Sequence, residues 1–140
     1  MAASAKAPLA GLRVIDLTNW MAGPIAGMLL ADLGADVIKI EGANGDPARV
    51  SFGGAFQDLR PGEPLSLFWA TCNRNKRSVV LDLGRPESRP VFERLLETAD
   101  VLVTNMHQRT LEQLGKHFGL LIDRMEHSGG VDLRWLPVSK

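Results

Sequence analysis

Cysteine is nearly absent from this chain of 140 residues: Cys72 stands alone. A single thiol excludes an internal disulfide framework and suits a reducing compartment. Net charge is absent as well, because 16 Lys and Arg balance 16 Asp and Glu. Bulk attraction to nucleic acid or to an anionic membrane is therefore not expected, and any anion site must be built locally. Long apolar runs are missing too. The richest stretch, Trp20–Ala35, is interrupted by Gly, Pro and Asp and is too broken to span a bilayer. The opening "MAASAKAPLAGLRV" has one Lys and no apolar h-region, so no secretory signal is expected and a cytoplasmic location is. Internal repeats and low-complexity tracts are not seen.

What remains is an ordinary globular composition, 45% hydrophobic and 23% charged, with room for one domain. "RVIDL" (Arg13–Leu17) reads as a strand, and "DVIKI" (Asp36–Ile40) as a second. Between them, Pro24 suits the first position of a helix whose apolar face would be Ile25, Met28, Leu29 and Leu33. Gly34 sits where a left-handed cap would end that helix. Residues from Glu41 to about Pro64 lack periodicity and read as a long loop, a length that is usually functional or disordered. A short helical segment over Leu65–Asn73, a strand over Ser78–Leu83, a helix regular over Pro90–Thr98, a strand over Asp100–Asn105 and a short helix over Thr110–Gly115 follow. The order βαβ–loop–α–βαβ–α, with strands that read as buried on both faces, implies an α/β fold: a Rossmann-like parallel sheet with flanking helices. The tail after Gly115 has a possible helix over Leu120–Met125, a Gly-Gly break, an exposed-looking Trp135 and no closing element.

Parallel sheets bind ligands at the C-terminal ends of their strands. "TNWMAGP" follows the first strand and contains no G-x-G-x-x-G, so close glycine contact with a dinucleotide is not signalled. Gly23 before a helix N-terminus offers either backbone N–H groups to an anion or a plain turn. Glu41 ends the second strand, a weak echo of a ribose-binding acid. Asn105, ending the fourth, has an amide that can read a ligand edge or simply form a turn. Arg74, Lys76 and Arg77 crowd the entrance of the third strand, either as phosphate partners or as a solvated run. Cys72 lies beside cations that would lower a thiol pKa, yet no partner His follows by spacing, so a buried structural thiol is favoured. His107, His117 and His127 are spaced unlike zinc ligands, and no metal is expected.

The segments "PLAGLRVIDLTNWMAGPIAGMLLADLGADVIKIE" (Pro8–Glu41), "NRNKRSVVLDLGRPESRPVFERLLETADVLVTN" (Asn73–Asn105) and "TLEQLG" (Thr110–Gly115), in this order and spacing, resemble the N-terminal part of the class III CoA-transferases. That family includes formyl-CoA transferase, carnitine CoA-transferase and α-methylacyl-CoA racemase. The resemblance divides the chain into a partial N-terminal domain over 1–115 and a non-matching tail over 116–140. It implies acyl-CoA and carboxylic acid substrates, coenzyme A as the carried group, and transfer through a catalytic aspartate that forms a mixed anhydride and then an enzyme-bound thioester. It implies CoA contacts at Met21 and Ala22, at Leu81, Asp82, Leu83 and Gly84, and at Asn105, Met106 and His107. Full-length members form interlocked homodimers.

Departures from the family pattern accompany the match. Gly42 and Gln113 stand where many relatives carry basic residues, which removes two phosphate partners. The family's continuation after Gly115 does not follow, so the tail reads as a truncated or frame-shifted end, inactive alone. No residue is assigned as catalytic; Asp123 and Asp132 lie in the non-matching tail. An acyl-CoA racemase of the same family, a non-catalytic CoA-binding or interaction remnant, and a nucleotide-dependent oxidoreductase half-domain are the alternatives.

Overall fold

The computed structural model describes residues 7–51, 66–107, 109–111, 113 and 134–137. Strand β1 (Arg13–Leu17) leads into helix α1 (Ala22–Asp32), which returns to strand β2 (Asp36–Glu41). Helix α2 (Leu67–Asn73) precedes strand β3 (Arg77–Val80), and helix α3 (Arg89–Glu97) joins it to strand β4 (Val101–Thr104). Strand β5 (Arg134–Pro137) closes the sheet, whose order is β3-β2-β1-β4-β5. The first four strands are parallel, as the alternation of strands and helices requires. β5 runs antiparallel to β4, with Val103 opposite Trp135. The tail therefore supplies a closing element that its sequence pattern did not show. The expected helix over Leu120–Met125 lies outside the described residues.

Helix α1 begins two residues earlier than proline preference predicts, at Ala22, with Pro24 in its third position. The missing N–H costs nothing there, since the first four amides of a helix have no intrahelical acceptor. Its end follows expectation. Gly34 adopts φ +98°, its N–H bonds Ala31 O at 2.9 Å, and the Ala35 N–H bonds Leu30 O at 3.0 Å. These two bonds make a Schellman termination. The buried face differs from the expected one. Gly23, Gly27 and Ala31, four residues apart, join Pro24 and Met28 against the sheet, while Leu29 and Leu33 are exposed. Small side chains allow the helix to sit close, and something other than leucine fills the space beneath it.

The strands alternate sharply between two environments. Ile15, Leu17, Ile38, Ile40 and Leu102 pack with Phe92, Leu96 and Ala99 beside α3, an eight-residue apolar core. On the α1 face, Val14, Val37 and Val103 pack with Ala31 and Ala35, a five-residue cluster. Asp16, Lys39 and Glu41 occupy the alternate positions that follow Val14 and Val37 along β1 and β2, and all three are buried. The space under α1 thus holds ion pairs. Lys76 Nζ donates to Asp16 Oδ2 at 2.7 Å, Pro24 O at 2.8 Å and Asn73 Oδ1 at 2.8 Å. All three ammonium protons are satisfied. A Cβ on Gly27 would fall 2.6 Å from Asp16 Oδ2, so only glycine leaves room for the pair.

The neighbouring cations of the same segment are also consumed inside the chain. Arg74 and Asn75 bond Asp32 at the end of α1, and Arg77 bonds Asp36 at 2.7 Å and 2.9 Å. Arg74 and Arg77 remain solvated at the strand entrance, as the solvated-run reading expects, whereas Lys76 is buried, and the segment as a whole clamps β3 to α1, β1 and β2. β3 itself is largely exposed along its length, because it is the edge of the sheet and not a strand covered on both sides.

Glu41 is the second charged anchor. Its carboxylate accepts from Arg49 Nε at 2.7 Å and Nη2 at 2.8 Å, from Ser78 Oγ at 2.7 Å and from the Asp46 N–H at 2.9 Å. Burial pushes this carboxyl up, but the Arg49 guanidinium, the Ser78 hydroxyl and the Asp46 amide outweigh it and hold the pKa at about 2. The Arg49 guanidinium in turn lies 3.5 Å over the centre of the Trp69 ring, a cation–π contact.

Two outcomes follow for stability. Lys76 has a side chain 1% exposed against 62% for Arg77. Lys76→Ala strands the Asp16 charge and is expected to cost about 3–5 kcal/mol, while Arg77→Ala costs under ~1 kcal/mol; urea melts of the two variants measure the difference, and equal losses would contradict the assignment. Glu41 holds a depressed pKa, so its contribution is full above its ordinary value of 4.5 and declines as pH falls toward about 2. The contribution is up to about 3 kcal/mol. Glu41→Gln should flatten the acid limb of stability across that window, which urea midpoints at pH 6, 4 and 3 report; an unchanged slope would assign the acid limb elsewhere.

Candidate functional site

A cavity of about 530 Å³ opens at the C-terminal ends of β1, β2 and β3 and beside the segment that follows β4. That volume lies within the range of small-molecule sites. Its apolar floor is Leu17, Ile40, Leu81, Leu83 and Met106. Leu17 and Ile40 belong to the α3-side core, and Leu81, Leu83 and Met106 pack against it. The floor is therefore an extension of the hydrophobic core to the surface. The rim is polar or backbone-rich: Asn19, the turn Gly42–Gly45, Pro47, Asp82 and Thr110. Gly45 has φ +73°, which suits glycine at this tight turn.

The sequence-predicted contacts fall into three groups. Leu81, Asp82, Leu83 and Met106 line the cavity together. Gly84 and Asn105 adjoin it through partners: the Gly84 N–H bonds Asp82 Oδ1 at 3.0 Å, and the Asn105 amide holds Asn19. Met21, Ala22 and His107 are exposed and lie outside the lining. The His107 carbonyl accepts from Thr110 and Leu111, so it opens the helical turn that carries Thr110 to the rim.

Between β1 and α1 the loop Thr18–Trp20 is pinned atom by atom. The Thr18 N–H donates to Asp16 Oδ1 at 3.0 Å, and Lys39 Nζ donates to Thr18 O at 2.7 Å. Asn105 Oδ1 accepts from the Asn19 N–H at 3.0 Å while its Nδ2 donates to Asn19 O at 2.9 Å. The Trp20 N–H donates to Asp46 Oδ1 at 3.2 Å. Asp46 also caps the turn Pro47–Arg49 by accepting from the Ala48 N–H, and its Oδ2 sits 2.9 Å from Lys39 Nζ as an ion pair without hydrogen-bond geometry. Trp20 has φ +71°, a left-handed conformation that costs a bulky residue about 1–3 kcal/mol. The pins over-determine that conformation. Gly23 then lets α1 start against the loop, since a Cβ there would lie 2.5 Å from Thr18 Cβ.

Of the residues weighed from the sequence, Glu41 is buried in its bonds to Arg49, Ser78 and Asp46 and does not line the cavity. Cys72 is buried, and burial pushes its thiol up despite the nearby Lys76 charge, which fits a structural thiol. Asp16, Asn19, Lys39, Asp46 and Arg49 shape the site but were not singled out beforehand. For Asp16 and Lys39 the signal was present as charges at alternate positions of apolar strands, in "VIDL" and "VIKIE"; Asn19, Asp46 and Arg49 lie in connecting segments with no such pattern.

Comparison with known proteins agrees with this architecture. A family model described as CoA-transferase family III matches residues 9–122. The chain is 44% identical over 111 residues to the succinate–glutarate CoA-transferase of Agrobacterium fabrum, covering 79% of this chain and 28% of that protein. It is 45% identical over 102 residues to the succinyl-CoA:mesaconate CoA-transferase of Haloarcula hispanica, covering 73% and 25%. The crystal structure of a CAIB/BAIF family protein from Brucella suis superposes with a TM-score of 0.72 at 39% identity, covering 79% of this chain and 29% of that one. The chain thus spans between a quarter and a third of the length of these relatives. With a family model matched over most of its length, the chain belongs to CoA-transferase family III.

Proposed function

We propose that this chain forms the CoA-holding unit of a CoA-transferase that moves CoA from an acyl-CoA to a carboxylic acid. The observation that carries the reading is the cavity. Four of the residues expected to touch CoA, Leu81, Asp82, Leu83 and Met106, come from two separate segments and converge on one space at the strand ends. Its apolar floor suits the uncharged part of the carrier, and its rim places polar groups where the ligand leaves the core. Met21, Ala22, Gly84, Asn105 and His107 complete the CoA-contacting set in this reading, Asn105 by fixing the β1–α1 loop.

The chemistry expected of the complete enzyme is nucleophilic catalysis by a carboxylate. An aspartate attacks the thioester carbonyl, the C–S bond breaks, and a mixed anhydride and CoA thiolate result. The thiolate then attacks the aspartyl carbonyl, releasing the first carboxylate and leaving an enzyme thioester. The acceptor carboxylate then attacks the enzyme thioester and expels CoA thiolate, and the thiolate attacks the acceptor's carbonyl in the new mixed anhydride, forming the product thioester and freeing the aspartate. Asp16 and Asp46 are locked in buried ion pairs, so neither is assigned as the nucleophile. Asp123 and Asp132 lie outside the described residues. The task of this chain is to bind and orient CoA, consistent with a homodimer in the full-length family and without a metal or a nicotinamide cofactor.

Calorimetric titration of the whole chain with CoA tests the reading. Wild type is expected to bind, and Leu83→Glu, which places a carboxylate on the apolar floor, is expected to lose about tenfold or more. Leu83→Ile should bind as wild type. Absence of binding by the wild-type chain, or a Leu83→Glu variant that folds and binds equally, would overturn it.

A further inference from the structure

The cavity presents an electrostatic mismatch to a polyanionic ligand. Among the described lining residues the one ionisable side chain is Asp82, a carboxylate. The cations on the α1 face offer no compensation. Lys39 and Lys76 are 1% exposed at their side chains and paired with Asp46 and Asp16, and Arg49 gives two nitrogens to Glu41. A phosphate approaching the rim would meet net negative charge unless another cation lies within reach.

Arg85, next to the lining residue Asp82 though not itself in the lining, is a cation whose own partner is the lining carboxylate. Asp82 Oδ1 accepts the Gly84 N–H at 3.0 Å and Asp82 O accepts the Arg85 N–H at 3.0 Å, so the carboxylate and the backbone fold a turn that brings Arg85 back over Asp82. Arg85 Nε stands 3.3 Å from Asp82 Oδ2. The two side chains are 75% and 44% exposed, which leaves the pair weak and the guanidinium largely open to solvent. Its backbone is also fixed, because Arg85 heads the turn Pro86–Ser88 and its carbonyl accepts the Ser88 N–H at 3.1 Å. A guanidinium held by one nitrogen at the edge of a cavity retains the paired donors that suit a phosphate.

We infer that Arg85 is a ligand-binding residue of this chain, cancelling the Asp82 charge and engaging a phosphate of the CoA carrier at the rim of the cavity. The inference rests on the CoA reading above and adds a residue to it. It also gives Asp82 a dual part: its carboxylate shapes the turn that presents Arg85, and its charge opposes the ligand that Arg85 attracts.

Titration of the whole chain with CoA, dephospho-CoA and pantetheine tests this. Arg85→Glu is expected to weaken CoA binding about 3- to 10-fold and to leave phosphate-free pantetheine within about twofold. Asp82→Asn, whose Oδ1 still accepts the Gly84 N–H, is expected to tighten CoA about two- to fivefold. Arg94→Glu, on α3 and away from the cavity lining, serves as the charge-matched control and should shift CoA binding by less than about twofold. A loss confined to CoA assigns Arg85 to the 3′-phosphate, and a loss shared with dephospho-CoA assigns it to the pyrophosphate; both support the inference. Equal CoA affinity in Arg85→Glu and wild type overturns it while the CoA reading stands, as does equal weakening for pantetheine. If wild type binds none of the three compounds, the CoA reading falls and this inference falls with it.

Discussion

The ammonium of Lys76 is the constraint on which the described structure depends. It is taken out of water completely and has three acceptors on three elements: the Asp16 carboxylate in β1, the Pro24 carbonyl in α1 and the Asn73 amide in α2. A buried cation without such partners would be strongly unfavourable. Burial indeed lowers the pKa of this lysine, with the Asp16 charge opposing that effect. The same demand explains the helix above it. Any side chain at Gly27 would strike Asp16, and α1 accordingly buries glycine and alanine while its leucines face out. One ion pair therefore sets the height of α1 over the sheet, the position of α2 and the entry of β3.

From that arrangement comes a division of labour between the two faces of the sheet. The α3 side is apolar and continues outward as the floor of the cavity. The α1 side is ionic, and its charges reach the site indirectly. Asp16, Lys39 and Asp46 hold the backbone of Thr18–Trp20, and Asn105 holds the same loop from β4. Polar atoms that would be costly if buried alone thereby fix a connection that contributes Asn19 to the cavity rim. Several discrete bonds on consecutive residues make that loop stiff, and stiffness at a site reduces the ordering that binding must otherwise impose.

Strands β1, β2 and β4 were legible because each is a short β-branched run between turn residues, and their parallel arrangement was legible because helices separate them. The C-terminal strand ends, where the cavity opens, were legible as a candidate site for the same topological reason. Three things were not. The buried charges were hidden by their brevity: one Asp in "VIDL", and one Lys and one Glu in "VIKIE", look like ordinary strand polarity until the period of two places them all under α1. The orientation of α1 was hidden because hydrophobicity points to leucine, whereas packing over an ion pair requires small residues. β5 pairs with a strand some thirty residues earlier in the chain, and nothing local in "RWLP" specifies a partner at that distance.

The cluster "NRNKR" illustrates how charge in a sequence misleads about charge at a site. Three cations in four positions invite a phosphate, yet each is paired with an aspartate of its own chain, Asp32, Asp16 and Asp36, the last of them shared with Arg13. Their stabilising value differs with exposure and not with number, since Coulomb attraction at an exposed pair is screened by water while the buried pair is sheltered from it. Conversely, the space at the strand ends has little charge of its own, and Gly42 contributes only backbone to the rim. The buried cations Lys39 and Lys76 are already paired, so they add no complementarity to an anion there. Lys39 and Lys76, committed to the β1–α1 loop and to the packing of α1, are thereby removed from any part in anion recognition.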